Sequence, residues 1–249
     1  MNGRDDPKQR AGRQLSTRGN SAATASTKGE IDRFLSAART IAPQAGGGRL
    51  VFALDATMSR QPTWDAACRL QAQMFDAVGA AGNLSVQLVY FRGYGECRAS
   101  RWVNDTSSLR DLMTRIDCRG GQTQIGKVLH HIAEETQRKP VSAAVVIGDA
   151  MEEEIDVLCH RAGELGLRKV PCFMFQEGQN PAAHQAFAEI ARLSGGAHVR
   201  FDANAADQLA ELLKAVATYA SGGLKALESA RTRGSRLLLQ QLSSRPSRR

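Results

Sequence analysis

Leu50-Val51-Phe52-Ala53-Leu54-Asp55-Ala56-Thr57-Met58-Ser59 places an unbroken apolar run directly before three oxygen-bearing side chains at alternate positions. A short apolar run closed by polar turn formers reads as a strand buried on both faces. At its carboxyl end Asp55, Thr57 and Ser59 are short enough to converge on one point without flexible arms. Hard cations such as Mg²⁺ and Mn²⁺ take such oxygens in octahedral array. The same residue types also suit a helix N-cap or a turn, so this segment alone does not separate a metal site from a cap.

Two further segments extend the pattern. Gly120-Gly121-Gln122-Thr123 offers a hydroxyl on a flexible loop before a helix, and Val145-Val146-Ile147-Gly148-Asp149 offers a second carboxylate at the end of a second apolar strand. In order, an Asp-x-Thr-x-Ser, a Gly-Gly-x-Thr and a strand-end Gly-Asp, the chain resembles the von Willebrand factor A-type domain over about residues 48–220. The resemblance implies that Asp55, Thr57, Ser59, Thr123 and Asp149 form a metal ion-dependent adhesion site. It further implies direct ligation by the Thr57 and Ser59 hydroxyls, with Thr123, Asp55 and Asp149 binding directly or through water. Thr57 stands where Ser is commoner, which keeps the hydroxyl, and Ala150 where Gly often follows the last Asp. Glu152, Glu153 and Glu154 crowd that loop with charge. They belong either at a helix N-terminus, where the charge is favourable, or over the site as a last ligand in cis.

Composition bounds the partners. The 249 residues are 42% apolar, enough for one large α/β core, and the formal charge is +8. That charge is uneven: residues 1–29 hold six basic and two acidic groups, residues 30–221 twenty and twenty-two, and residues 222–249 seven and one. The basicity lies in the ends, which contain no aromatic residue to stack on a base. They read as solvated tails with at most weak nucleic-acid contact. Five cysteines with no Cys-x-x-Cys pair speak against both a disulfide framework and a structural zinc site, and favour a reducing cytosol. No apolar run reaches the length of a membrane span, and no secretory apolar stretch opens the chain.

The expected organisation is a disordered basic tail over 1–27, a docking helix over 28–43, the core domain over 48–220, and a basic extension over 221–249. Thr27 with Glu30 makes a capping box before Ile31, Phe34, Leu35, Ala38 and Ile41. A helix follows the first strand, with Trp64, Ala67, Cys68, Met74, Phe75 and Val78 on one face. Ser85–Phe91 and about Glu96–Trp102, joined by Gly93-Tyr94-Gly95, read as a hairpin. Helices are expected over 106–116, 123–138, 152–165, 182–193 and 205–220, and strands over 141–148, 170–175 and 197–201. This alternation predicts an α/β fold: a doubly wound, mostly parallel six-stranded sheet with one antiparallel edge strand and helices on both faces. Leu224 to Leu242 is leucine-rich, but Gly234 interrupts it, and a marginal, partner-dependent helix is expected.

Enzymatic readings compete for the same residues. Gly121 to Lys127 fits Gly-x₄-Gly-Lys, a nucleotide hydrolase loop, yet Val128 replaces the hydroxyl that would hold Mg²⁺ and no buried strand precedes it. A haloacid dehalogenase-type, Mg-dependent phosphatase would use Asp55 as nucleophile, but Thr57 occupies the place of the second acid and Lys127 follows Thr123 too closely. His130-His131 with Glu134 and Glu135 lacks a third ligand and reads as an exposed helix face, and adjacent Cys159-His160 diverge on a helix. Trp102, Tyr94 and Tyr90 read as core or edge packing, Tyr94 becoming an interface anchor if exposed beside the metal face. The expected function is therefore non-enzymatic: a cytoplasmic scaffold module that binds another protein through Mg²⁺ or Mn²⁺, an acidic side chain of the partner completing the shell.

Overall fold

The most apolar stretches of the chain form the centre of a sheet. In the computed structural model, which describes residues 47–60, 84–201 and 206–243, strand β1 (Gly48–Asp55) is buried along its whole length. It lies between β2 (Leu84–Arg92) and β4 (Ala143–Gly148), with β5 (Cys172–Glu177) and β6 (His198–Phe201) continuing one side and β3 (Glu96–Ala99) closing the other. The six strands run in the order β3-β2-β1-β4-β5-β6, all neighbours parallel except the β2–β3 hairpin. This is the expected doubly wound architecture. The tail over 1–27, the docking helix over 28–43 and the helix carrying Trp64 to Val78 lie outside the described residues.

Side-chain alternation along β1 assigns its two faces. Leu50, Phe52 and Leu54 join a core with Leu109 and Met113 of α1 (Thr106–Met113) and with α5 (Ala206–Ala230) and α6 (Arg233–Ser243). Val51 and Ala53 join a second core with α2 (Ile125–Arg138), α3 (Ile155–Leu167) and α4 (Pro181–Ser194). A central parallel strand covered on both sides has no polar face, which is why its sequence is continuous and not alternating. Among the described residues no helix is long and apolar enough to cross a membrane.

The carboxyl-terminal region departs most from the sequence reading. The helix expected to stop at 220 continues to Ala230 across a kink at Gly223, whose φ of 69° and ψ of −164° only glycine adopts without strain. A second helix follows, and Leu227 and Leu238 are fully buried in the first core. Gly234, which breaks the leucine pattern in sequence, is the point where α6 meets α5: a Cβ there would overlap the Glu211 carbonyl. The missing side chain serves close packing and not interruption of the helix.

Candidate metal centre

In the register of the parallel pair β1–β4, Leu54 faces Ile147. Asp55 and Asp149 therefore leave neighbouring strands at the same sheet edge, where open α/β sheets place their ligands. Asp55 is wholly buried, and its Oδ1 accepts the Thr57 N–H at 2.8 Å, a turn that aims the next two hydroxyls. The Thr57 and Ser59 hydroxyls lie 3.0 Å apart, Thr57 buried and Ser59 exposed.

Thr123 reaches this edge through its loop. Arg119 N–H donates to Ala56 O at 3.0 Å, and Thr57 and Arg119 form an isolated parallel bridge. Gln122 N–H donates to Gly93 O, and a Cβ on Gly121 would overlap the Gly93 backbone. Gly121 is thus required because the loop passes against the hairpin turn, whereas a Cβ on Gly120 would meet open space. The Thr123 hydroxyl accepts Glu152 N–H at 3.2 Å, while Thr123 N–H donates to Glu152 Oε2 at 2.8 Å. All three segments meet at one edge: hydrogen bonds join Asp55, Thr57 and Ser59 directly, and the loop of Thr123 is tied in by the Arg119 bond to Ala56 and by Glu152.

The acidic loop takes the first of its two alternatives, though on an unexpected helix. Glu153 accepts Ile125 N–H and Gly126 N–H, the latter at 2.9 Å. Those amides open α2, whose own N-cap residue Gln124 makes no side-chain cap. Glu152 and Glu153 thus cap a helix that begins nearly thirty residues earlier, and burial nonetheless holds the Glu153 carboxyl above its ordinary range.

The same bonds fill the loop that would cradle phosphates. Its amides hold the chain's own carboxylates, and Lys127 Nζ donates to Gly95 O at 2.8 Å and Gln124 Oε1 at 2.9 Å. Only the bridge at Arg119 precedes the loop, where a nucleotide-binding loop requires a strand. His130 meets Glu134 at 3.5 Å and His160 meets Glu164 at 3.8 Å, both pairs exposed on helix surfaces, but the expected exposed face does not extend to half-buried His131, bonded to Gln87, or to buried Glu135, paired with Arg49.

The donor set suits a hard divalent cation. Asp55 Oδ2 and Asp149 Oδ1 are buried and accept no hydrogen bond among the described residues, an arrangement that is costly unless a cation balances it. Burial pushes the Asp55 carboxyl up to about 6; Asp149 adds to the rise, and the Thr57 bonds and the Arg60 charge oppose it. Among the described residues no three His, Cys, Asp or Glu side chains cluster closely enough to hold an ion unaided. Hydroxyl oxygens would have to complete any shell.

Sequence reasoning missed Arg60. It ends the single turn Met58–Arg60, is 1% exposed, and pairs with Glu177 at the end of β5. Burial lowers its pKa, with Asp149, Asp55 and Cys118 opposing that effect. An arginine after Asp-x-Thr-x-Ser reads as a surface residue, and no local pattern announces its burial.

The rim carries exposed apolar groups. Met58, between two candidate ligands, is 55% exposed, and Tyr94, at the hairpin tip, is 88% exposed. Tyr94 and Thr123 line one hollow of about 330 Å³ together with Lys127 and Glu153. Trp102 instead packs at an edge, donating to Glu135 Oε2 at 2.7 Å under the Arg49 guanidinium.

Solved structures share this fold. A von Willebrand factor type A protein from Catenulispora acidiphila superposes with a TM-score of 0.57 at 14% identity, covering 70% of this chain and 43% of that one. The SpRpn10 VWA domain gives 0.55 at 14% identity, covering 66% and 94%. Proximal thread matrix protein 1 from the mussel byssus, with zinc in its MIDAS motif, gives 0.56 at 16% identity, covering 69% and 48%. The chain thus spans less than half the length of the first and third. No protein-family model matches the sequence, and no curated protein matches it.

Proposed function

The chain has the fold of von Willebrand factor A-type domains, and on that premise we propose that it is a divalent-cation-dependent protein-binding module, a cytoplasmic scaffold and not an enzyme. Asp55, Thr57, Ser59, Thr123 and Asp149 would hold Mg²⁺ or Mn²⁺. The observation that carries this reading is the pair of buried carboxylate oxygens, Asp55 Oδ2 and Asp149 Oδ1, left without a hydrogen bond at adjacent strand ends. Bound there, the ion would supply a Lewis-acidic centre left under-neutralised by its neutral hydroxyl ligands.

The chain's own residues do the rest. Asp55 orients the Thr57 backbone, Thr57 and Ser59 present adjacent hydroxyls, and Glu152 holds the loop of Thr123 in place. An acidic side chain from a partner protein then suits the open coordination position, with exposed Tyr94 and Met58 supplying apolar contact beside it. Cys97, Cys159 and Cys172 are free thiols, which suits a reducing compartment. The basic ends would add weak, salt-sensitive attraction to nucleic acid.

Isothermal titration of chelator-treated protein with Mg²⁺ and Mn²⁺ tests the reading. Saturable binding is expected in the intact chain and none in Asp55→Ala, with the far-ultraviolet circular dichroism of the two superimposable. An intact chain that binds neither ion removes the proposal.

A further inference from the structure

The metal-binding reading leaves one buried charge unused. Arg60 is anchored by the backbone that positions the candidate ligands: its N–H donates to Thr57 O at 3.0 Å, and Ser59 precedes it. Its guanidinium pairs with Glu177 and lies within electrostatic reach of Asp149 and Asp55. A side chain that is 1% exposed thus pairs with a carboxylate at the end of β5 and feels the charges of two more at the ends of β1 and β4. An arginine does not shed its proton in a protein, so the charge stays. Buried carboxylates and a buried guanidinium each require the other.

We propose that Arg60 is the resident counter-cation of this site and competes with divalent cations for Asp55 and Asp149, setting how weakly they bind. The proposal rests on the metal-binding reading and concerns the regulation of that same site. Asp55 Oδ2 and Asp149 Oδ1 accept no hydrogen bond, so the guanidinium balances them through its field and leaves those two oxygens open to a second cation. A dication entering beside a guanidinium meets like-charge repulsion in a medium that screens poorly. Glu177, on the far strand of the three, gives Arg60 a carboxylate to keep when the other two turn to the metal. Without metal the site is partly neutralised, one guanidinium facing three carboxylates, and it fills at raised ion concentration or when a partner's carboxylate adds its own attraction.

The test compares Mg²⁺ and Mn²⁺ titrations of the full chain with those of Arg60→Met and Arg60→Gln, following both heat and the metal-induced rise in melting temperature. The neutral variants are expected to bind at least about tenfold more tightly than the wild type, and to gain more melting temperature from the ion. Arg60→Gln, which can still donate to Glu177, carries the comparison should Arg60→Met fail to fold without metal. Binding confined to the neutral variants overturns the proposal together with the metal-binding reading of the intact chain, because the wild type then holds no ion for Arg60 to weaken. Equal or weaker binding by the variants, with the wild type still binding, overturns the competition and leaves the metal site standing. Absence of binding in all three chains overturns both readings.

Discussion

Asp55 is wholly buried, its carboxyl is pushed up to about 6 by that burial, and one of its oxygens accepts no hydrogen bond. A folded-state pKa above the unfolded one means that the fold binds the proton more tightly. Its stabilising effect is complete below about pH 4 and is lost as pH rises through about 6. In chelator, Asp55→Asn should therefore gain on the wild type across that window, by roughly 3 kcal/mol at the plateau. The difference between the two urea-unfolding curves, measured at several pH values, isolates Asp55 from His198, whose burial lowers its pKa to about 4 and tilts stability the other way. Saturating Mg²⁺ should reverse the order, since only the carboxylate gains from the ion; an order unchanged by metal would contradict the ligand role. At this scale the oxygen-bearing residues were legible because Asp55, Thr57 and Ser59 share one short segment with a chemistry of their own. Arg60 was not, since its burial comes from what Glu177 and Asp149 contribute from other strands.

Strands and helices were legible because apolar runs and helical spacing are local signals. Most boundaries moved by a few residues, as at α2, expected from 123 and beginning at Ile125, while α5 ran on from the expected 220 to Ala230. What sequence does not carry is a cap supplied from afar: Gln124 opens α2 without a side-chain cap, and Glu153 takes the Ile125 and Gly126 amides. A carboxylate bonded to helix N-terminal amides benefits from both charge-assisted hydrogen bonds and the helix dipole. Glu153→Ala should cost about 1–2 kcal/mol in urea unfolding, and Glu153→Gln less, because its amide oxygen still accepts. Glu152→Ala should act differently. It frees Thr123 N–H and the loop, so metal affinity falls while global stability changes little; a loss of stability matching that of Glu153→Ala would count against the division of labour.

Across the whole molecule, the sheet edge that carries the candidate site and the helices that cover its faces are separable. The leucines of 224–242 were visible in sequence, but their destination was not, because Gly222, Gly223 and Gly234 resemble breaks when read locally. In three dimensions Gly223 turns the chain and Gly234 admits α6 against α5, so that Leu238 reaches the first core with 0% exposure. Leu238→Ala should destabilise the protein by about 2–5 kcal/mol through lost burial and the cavity left behind. Gly234→Val, whose side chain would overlap the Glu211 carbonyl, should do comparable harm by forcing the helices apart. The candidate carboxylates stand at the ends of β1 and β4, whose pairing with one another neither substitution touches. Both variants should therefore bind Mg²⁺ with wild-type affinity at temperatures where they remain folded, and calorimetry beside thermal melts checks this. The proposed ion-binding oxygens are hydroxyls and carboxylates at the edge of a finished sheet, so metal affinity should follow the edge and global stability the core. If metal affinity fell in proportion to stability in these variants, ion binding would be coupled to folding itself, as in small structural metal sites.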